Sequence, residues 1–150
     1  MNSSFDTTAR NKTVVRAYYE GGQRGDISGY GAFLHPDFVV RAPNYLPWGG
    51  AHDGEQFLRK VLPQVVPVLD FSRFSFESTT AEEDRVVALI NVGVTGGDQL
   101  IKISEHWVLK DQKAFSLWVA YYEPQAVMDR FAALDRTGER NETVSSGSFA

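Results

Sequence analysis

Apolar positions recur at helical spacing in the first part of the chain and at every second residue in the last half. Val14, Val15, Tyr18 and Tyr19 fall on a helical pattern over residues 7–22, and Gly21-Gly22 stops it. A short helix is predicted from Asp26, an N-cap residue, to Leu34, followed by a strand over 37–42, "DFVVRA". The stretch "RAPNYLPWGGAHDG" (41–54) reads as a bend rich in Pro, Gly and aromatic residues. Asp53 then caps a helix, "GEQFLRKVL", with Phe57, Leu58, Val61 and Leu62 on one side and Pro63 set to end or kink it.

From residue 70 the period becomes two. Residues 71–78, 85–95, 99–110 and 114–122 are predicted as four consecutive strands, joined by the short connections "AEED", "GG" (96–97) and "DQK". Pro124 opens a last helix, "QAVMDRFAAL", and residues 137–150 form a polar tail expected to be disordered. Helices followed by hairpin-linked strands give an α+β class: one domain over 1–136, a curved antiparallel sheet packed on N-terminal helices.

Strand alternation assigns the faces. In 99–110 the odd row, Ile101, Ile103, Glu105, Trp107 and Leu109, is the apolar one, which turns it toward the helices and leaves Glu105 among hydrophobic side chains. A two-residue "GG" loop puts Ala88 opposite Glu105, in a row with Val86, Ile90 and Val92. A three-residue "DQK" loop turns Phe115, Leu117, Val119 and Tyr121 inward, whereas a two-residue turn brings in the other face with Trp118. Both stand at this point. Glu105 also has two readings: a structural acid satisfied by hydrogen bonds, or a functional acid whose burial raises its pKa so that it can pass a proton near neutral pH.

Composition narrows the partners. A formal charge of −4 and no basic stripe exclude a nucleic-acid partner, and no apolar run is long enough to span a bilayer. The N-terminus has neither the basic start nor the apolar core of a secretory signal, so the cytoplasm is the expected compartment and the sequons at Asn11 and Asn141 are chance matches. With no cysteine, thiol chemistry is absent. His35, His52 and His106 have no ligand spacing, so neither a metal site nor a cofactor is expected. "GGQRG" (21–25) follows a helix and is not a phosphate loop. His52, in the bend, either reaches the cavity mouth as an acid or base or has no task there. Arg41 and the even-row His106 face outward. His106, Ser116, Trp118 and Tyr122 make an amphipathic outer face suited to a homodimer.

Local motifs now combine: "GD" at 25–26 after the first helix, "HPDFVV" into the first strand, "LPWGG" followed by "DG", and Trp107 ahead of "KDQK". In this order, from about Thr8 to Leu134, they resemble the nuclear transport factor 2-like superfamily and, within it, the SnoaL-like branch that includes polyketide cyclases. The resemblance implies a cone-shaped roll holding a small apolar metabolite at its open end, with dimers formed through the outer sheet face. It places Glu105 where ketosteroid isomerases of the superfamily keep a protonated acid and SnoaL-like cyclases keep a histidine. Tyr18 falls where the isomerases keep the tyrosine of their oxyanion hole, although an amphipathic helix also accounts for it. Two usual bases are missing: Ala42 stands at the isomerase's base and Val119 at the cyclase's aspartate, while Leu117 replaces a histidine of many relatives. Steroid-type isomerisation is therefore not expected. The resemblance points to a cofactor-independent cyclase, isomerase, lyase or hydrolase of secondary metabolism, or to a binding module of the same fold. The expected catalytic set is Glu105, Tyr18 and His52. Asn44, Tyr45 and Trp48 are expected at the mouth, and Ala42, Trp107, Val119 and Tyr121 along the substrate.

Overall fold

The computed structural model describes residues 3–24 and 29–137, so the "GD" motif, the Asp26 cap and the polar tail beyond Thr137 lie outside the described residues. Helix α1 (Ser3–Gln23) begins earlier than its apolar spacing indicates, and is followed by α2 (Tyr30–Phe33). Six strands come next in two groups: β1 (Leu34–Ala42) and β2 (Gly50–Asp53), then β3 (Leu69–Glu82), β4 (Arg85–Val94), β5 (Leu100–Lys110) and β6 (Lys113–Tyr122). Between the groups lie α3 (Gly54–Gln56), a π-helical turn (Phe57–Val61) and α4 (Leu62–Val65), and α5 (Gln125–Thr137) closes the described chain.

One open sheet runs β2-β1-β6-β5-β4-β3. Every pairing is antiparallel except β1 with β6, which is parallel. That parallel pair lies between elements far apart in sequence, and hairpin reasoning does not reach it. Register shifts in β1, β3 and β6 bend the sheet around α1. β1 begins three residues earlier than predicted, and its Pro36 falls within the shifted stretch between Leu34 and Val39, where a missing N–H costs no ladder bond. β2 falls in the segment read as a loop. Its four residues show no apolar alternation, and its strand character comes from pairing with β1.

Asp53 caps α3 as predicted and completes a capping box with Gln56: each side chain bonds the other residue's backbone N–H, at 2.9 and 3.0 Å. Pro63 does not end the helical run. The turn before it widens, with Leu62 N–H bonding Phe57 O. The wider turn draws the i−4 carbonyl away from the proline ring, and the helix continues to Val65.

The β4–β5 hairpin has the predicted register, Ala88 opposite Glu105. At β5–β6 the turn has two residues, Asp111 and Gln112, with φ of 54° and 62°. A bulge then shifts the register by one between Val108 and Leu109. The bulge restores the face that a three-residue loop would have given, so Leu117, Val119 and Tyr121 stand opposite Trp107, Glu105 and Ile103. Phe115 departs from that row. Ala114, fully buried, takes the inward place opposite Leu109, and Phe115 packs edge-on to His35. The core lies between the inner rows of β4 and β5 and the buried faces of α1 and the α3–α4 segment.

Candidate active site

Glu105 stands midway along β5 with Ala88 on one side and Val119 on the other. Neither neighbour reaches far above the sheet, and the space left over the carboxyl is a cavity of about 330 Å³. β1, β3 and the α3–α4 segment supply apolar walls, through Val40, Phe71, Phe74, Phe57 and Val61 among others. Among the described residues, Glu105 is the one charged side chain on that wall. Its partial exposure is to this cavity, and at longer range protein surrounds it.

The hydroxyl that reaches Glu105 belongs to Tyr19 and not to Tyr18. Tyr19 donates to Oε1 at 2.5 Å and accepts a bond from Trp107 Nε1 at 2.8 Å. Burial pushes the Glu105 carboxyl from the ordinary 4.5 up to about 7, and the Tyr19 bond opposes only part of that rise. Burial, followed by the charge of Glu105, pushes Tyr19 well above the usual phenol range. Tyr18, one helical step round, lines the cavity beside it, stacked on Phe33 with centroids 4.8 Å apart and with its hydroxyl near that of Tyr30. Gly22 makes room for that group, since a Cβ there would lie 2.5 Å from the Tyr30 oxygen.

The bend at 41–54 contributes differently from a lip. Trp48 is buried (3% exposed) and forms part of the wall beside Tyr121. Gly49 permits the tight fold, because a Cβ would lie 2.3 Å from Pro43 O. His52 bonds the carbonyls of Trp48 and Gly49 at 3.0 and 3.1 Å. Carbonyls only accept, so Nε2 carries the proton, and His52 fastens the bend without standing on the cavity wall. Asn44 and Tyr45 are exposed and also off the wall, although Tyr45 is near enough to Tyr121 to act on it electrostatically. Ala42, Val119 and Tyr121 line the cavity, whereas Trp107 is buried one layer behind, holding Tyr19.

Tyr19 and Tyr30 are the polar groups that the sequence did not single out. Adjacent tyrosines on a helix point about 100° apart, and the pattern alone does not say which one meets the acid when both are buried. On the opposite sheet face His106 lies flat on Trp118, with centroids 3.8 Å apart and planes 3° from parallel, and pairs with Ser104 at 2.8 Å. Trp118, Tyr122 and Leu100 are exposed there.

No helix among the described residues is long and apolar enough to cross a membrane. The family model of a SnoaL-like domain matches residues 15–117. Solved structures superpose over most of the chain. An NTF2-like protein from Burkholderia thailandensis shares 15% identity at a TM-score of 0.67, covering 82% of this chain and 96% of its own. TerC, co-crystallised with polyporic acid, shares 22% identity at a TM-score of 0.66, covering 82% and 98%. A steroid delta-isomerase from Pseudomonas aeruginosa shares 19% identity at a TM-score of 0.64, covering 86% and 93%. At these identities the likeness is one of fold. Among curated proteins, no sequence matches.

Proposed function

Because the chain belongs to the SnoaL-like domain family, we propose that it is a cofactor-independent enzyme carrying out a cyclisation, isomerisation, lyase or hydrolase step on an apolar, oxygen-bearing metabolite held in the cavity. One observation carries the reading. Among the described residues a single carboxyl, pushed up to about 7, faces an otherwise uncharged apolar cavity, so it can hold or release a proton at neutral pH. In this reading Glu105 moves the proton, with Tyr19 fixing its orientation. Tyr18 stands beside them on the wall, and Ala42, Trp48, Val119 and Tyr121 shape the rest of the site. His52, Asn44 and Tyr45 act only by positioning the bend. Two relatives of the same fold support the choice of ligand and chemistry: one was crystallised with polyporic acid, and the other is a steroid delta-isomerase.

Mass spectrometry of small molecules retained through purification supplies the candidate substrate. Turnover by the wild type, with binding but no turnover by Glu105→Gln, is the expected result. No turnover by the wild type, with unchanged affinity in the variant, refutes catalysis. That outcome leaves the second reading, a binding module, which the presence of Ala42 and Val119 in the wall favours. The exposed Trp118, Tyr122 and Leu100 are proposed as the centre of a homodimer interface, and the cytoplasm as the compartment.

A further inference from the structure

The polar atoms of the cavity have directions, and those directions specify what a bound molecule must offer. An indole N–H only donates. Trp107 gives its proton to the Tyr19 oxygen, so the Tyr19 proton passes on to Glu105 Oε1. The second carboxyl oxygen, Oε2, has no partner among the described residues. Across the same wall Tyr121 stands beside Trp48, and no side chain among the described residues accepts the Tyr121 proton. The wall therefore presents an unspent acceptor at Glu105 and a hydroxyl at Tyr121 that is able to donate.

The register makes them neighbours. Glu105 pairs with Val119 and Ile103 pairs with Tyr121, so Glu105 and Tyr121 are diagonal neighbours on one face, their backbones about 7–8 Å apart. Among the described residues no Lys, Arg or His lines the cavity, so an anionic ligand would be buried beside a carboxyl with no counter-charge. A cavity of 330 Å³ takes a molecule of about 12 to 16 non-hydrogen atoms at interior packing density.

Resting on the reading of this cavity as a ligand site, we infer that its ligand is an uncharged hydroxy ketone of two-ring size, whose hydroxyl donates to Glu105 Oε2 while its carbonyl accepts from the Tyr121 hydroxyl. Burial holds the carboxyl near 7, so at neutral pH a large share is ionised and able to accept. Tyr18 and Tyr19 from α1, Tyr30 from α2 and Tyr121 from β6 face it, and burial raises the pKa of Tyr18, Tyr19 and Tyr121, which keeps these three uncharged at that pH.

Titration calorimetry at pH 7 with four probes tests the scheme: 6-hydroxy-1-tetralone, 1-tetralone without the hydroxyl, 5,6,7,8-tetrahydro-2-naphthol without the carbonyl, and 2-naphthoate with a charge. The hydroxy ketone is expected to bind about ten-fold or more tighter than either probe bearing one group, and the naphthoate not measurably. Tyr121→Phe should erase the advantage that the carbonyl gives and keep that of the hydroxyl. Glu105→Gln, which presents an amide donor, should do the reverse. If 1-tetralone matches the hydroxy ketone, or the naphthoate binds comparably, the recognition scheme falls while the cavity remains a ligand site. If no probe binds, both readings fall. Should either variant fail to fold by circular dichroism, the wild-type probe series decides alone.

Discussion

Glu105→Gln should make the protein more stable at alkaline pH and leave it almost unchanged in acid. In the unfolded chain the carboxyl titrates at the ordinary 4.5, and in the fold it titrates at about 7. Below the lower value both states hold the proton, and the group adds no pH dependence. As pH rises through the window the unfolded chain releases its proton first, so unfolding is favoured and the wild type loses stability until the folded carboxyl has also ionised. The loss is complete above 7 and amounts to about 3 kcal/mol. In a chain of this length that corresponds to roughly 6–12 °C in Tm. Glutamine keeps an oxygen to accept from Tyr19 and has no charge to desolvate. Asp70 and Glu77, whose pKa values are lowered by hydrogen bonds to Ser72 and to Lys102 respectively, titrate equally in both proteins and cancel. Urea denaturation of wild type and variant at intervals from pH 4.5 to 8.5 measures the gap. It should widen in favour of the variant by about 3 kcal/mol across the window. A gap constant with pH would show that Glu105 is not desolvated in the fold, and the assignment of the cavity's acid would fall with it.

Other consequences can be measured separately. Tyr19→Phe removes the bond that partly lowers the Glu105 pKa, so carboxyl-carbon NMR should show its titration moving above 7. The same change leaves the Trp107 indole N–H buried without an acceptor and should cost about 1–3 kcal/mol by denaturation. Gly49→Ala puts a methyl 2.3 Å from a backbone carbonyl and should lower stability by about 2 kcal/mol or more, whereas Gly97→Ala, with open space around it, should not through crowding. Trp118→Glu on the outer face should turn a dimer into a monomer in sedimentation experiments while leaving the binding of cavity probes intact.

The sequence spoke most clearly where geometry is discrete. A strand has two faces, so the apolar row around Glu105 fixed its direction, and the Ala88 register followed from a short hairpin. Asp53 was legible because a cap needs one side chain at one place. The partner of Glu105 was not legible. Tyr18 and Tyr19 both fit the apolar helix face, and α1 lies in a groove that buries both rings, so the helical pattern does not choose between them. The bend stands out by its composition, but the depth at which Trp48 sits does not show in it. Trp48 is held inside by Gly49 and the His52 clasp, and neither close approach can be seen in a linear pattern. The parallel β1–β6 pair and the short β2 depend on long-range pairing, which local propensity does not encode.

The bulge in β6 decides which half of the strand meets the acid. Were Phe115 drawn into the ladder opposite Val108, every later side chain would change face, and Ser116, Trp118 and Ala120 would replace Leu117, Val119 and Tyr121. Losing Phe115 altogether would flatten the strand and keep the wall, because Ser116 would still meet Val108. One unpaired residue thus keeps the indole that now meets solvent from lying directly above the acid.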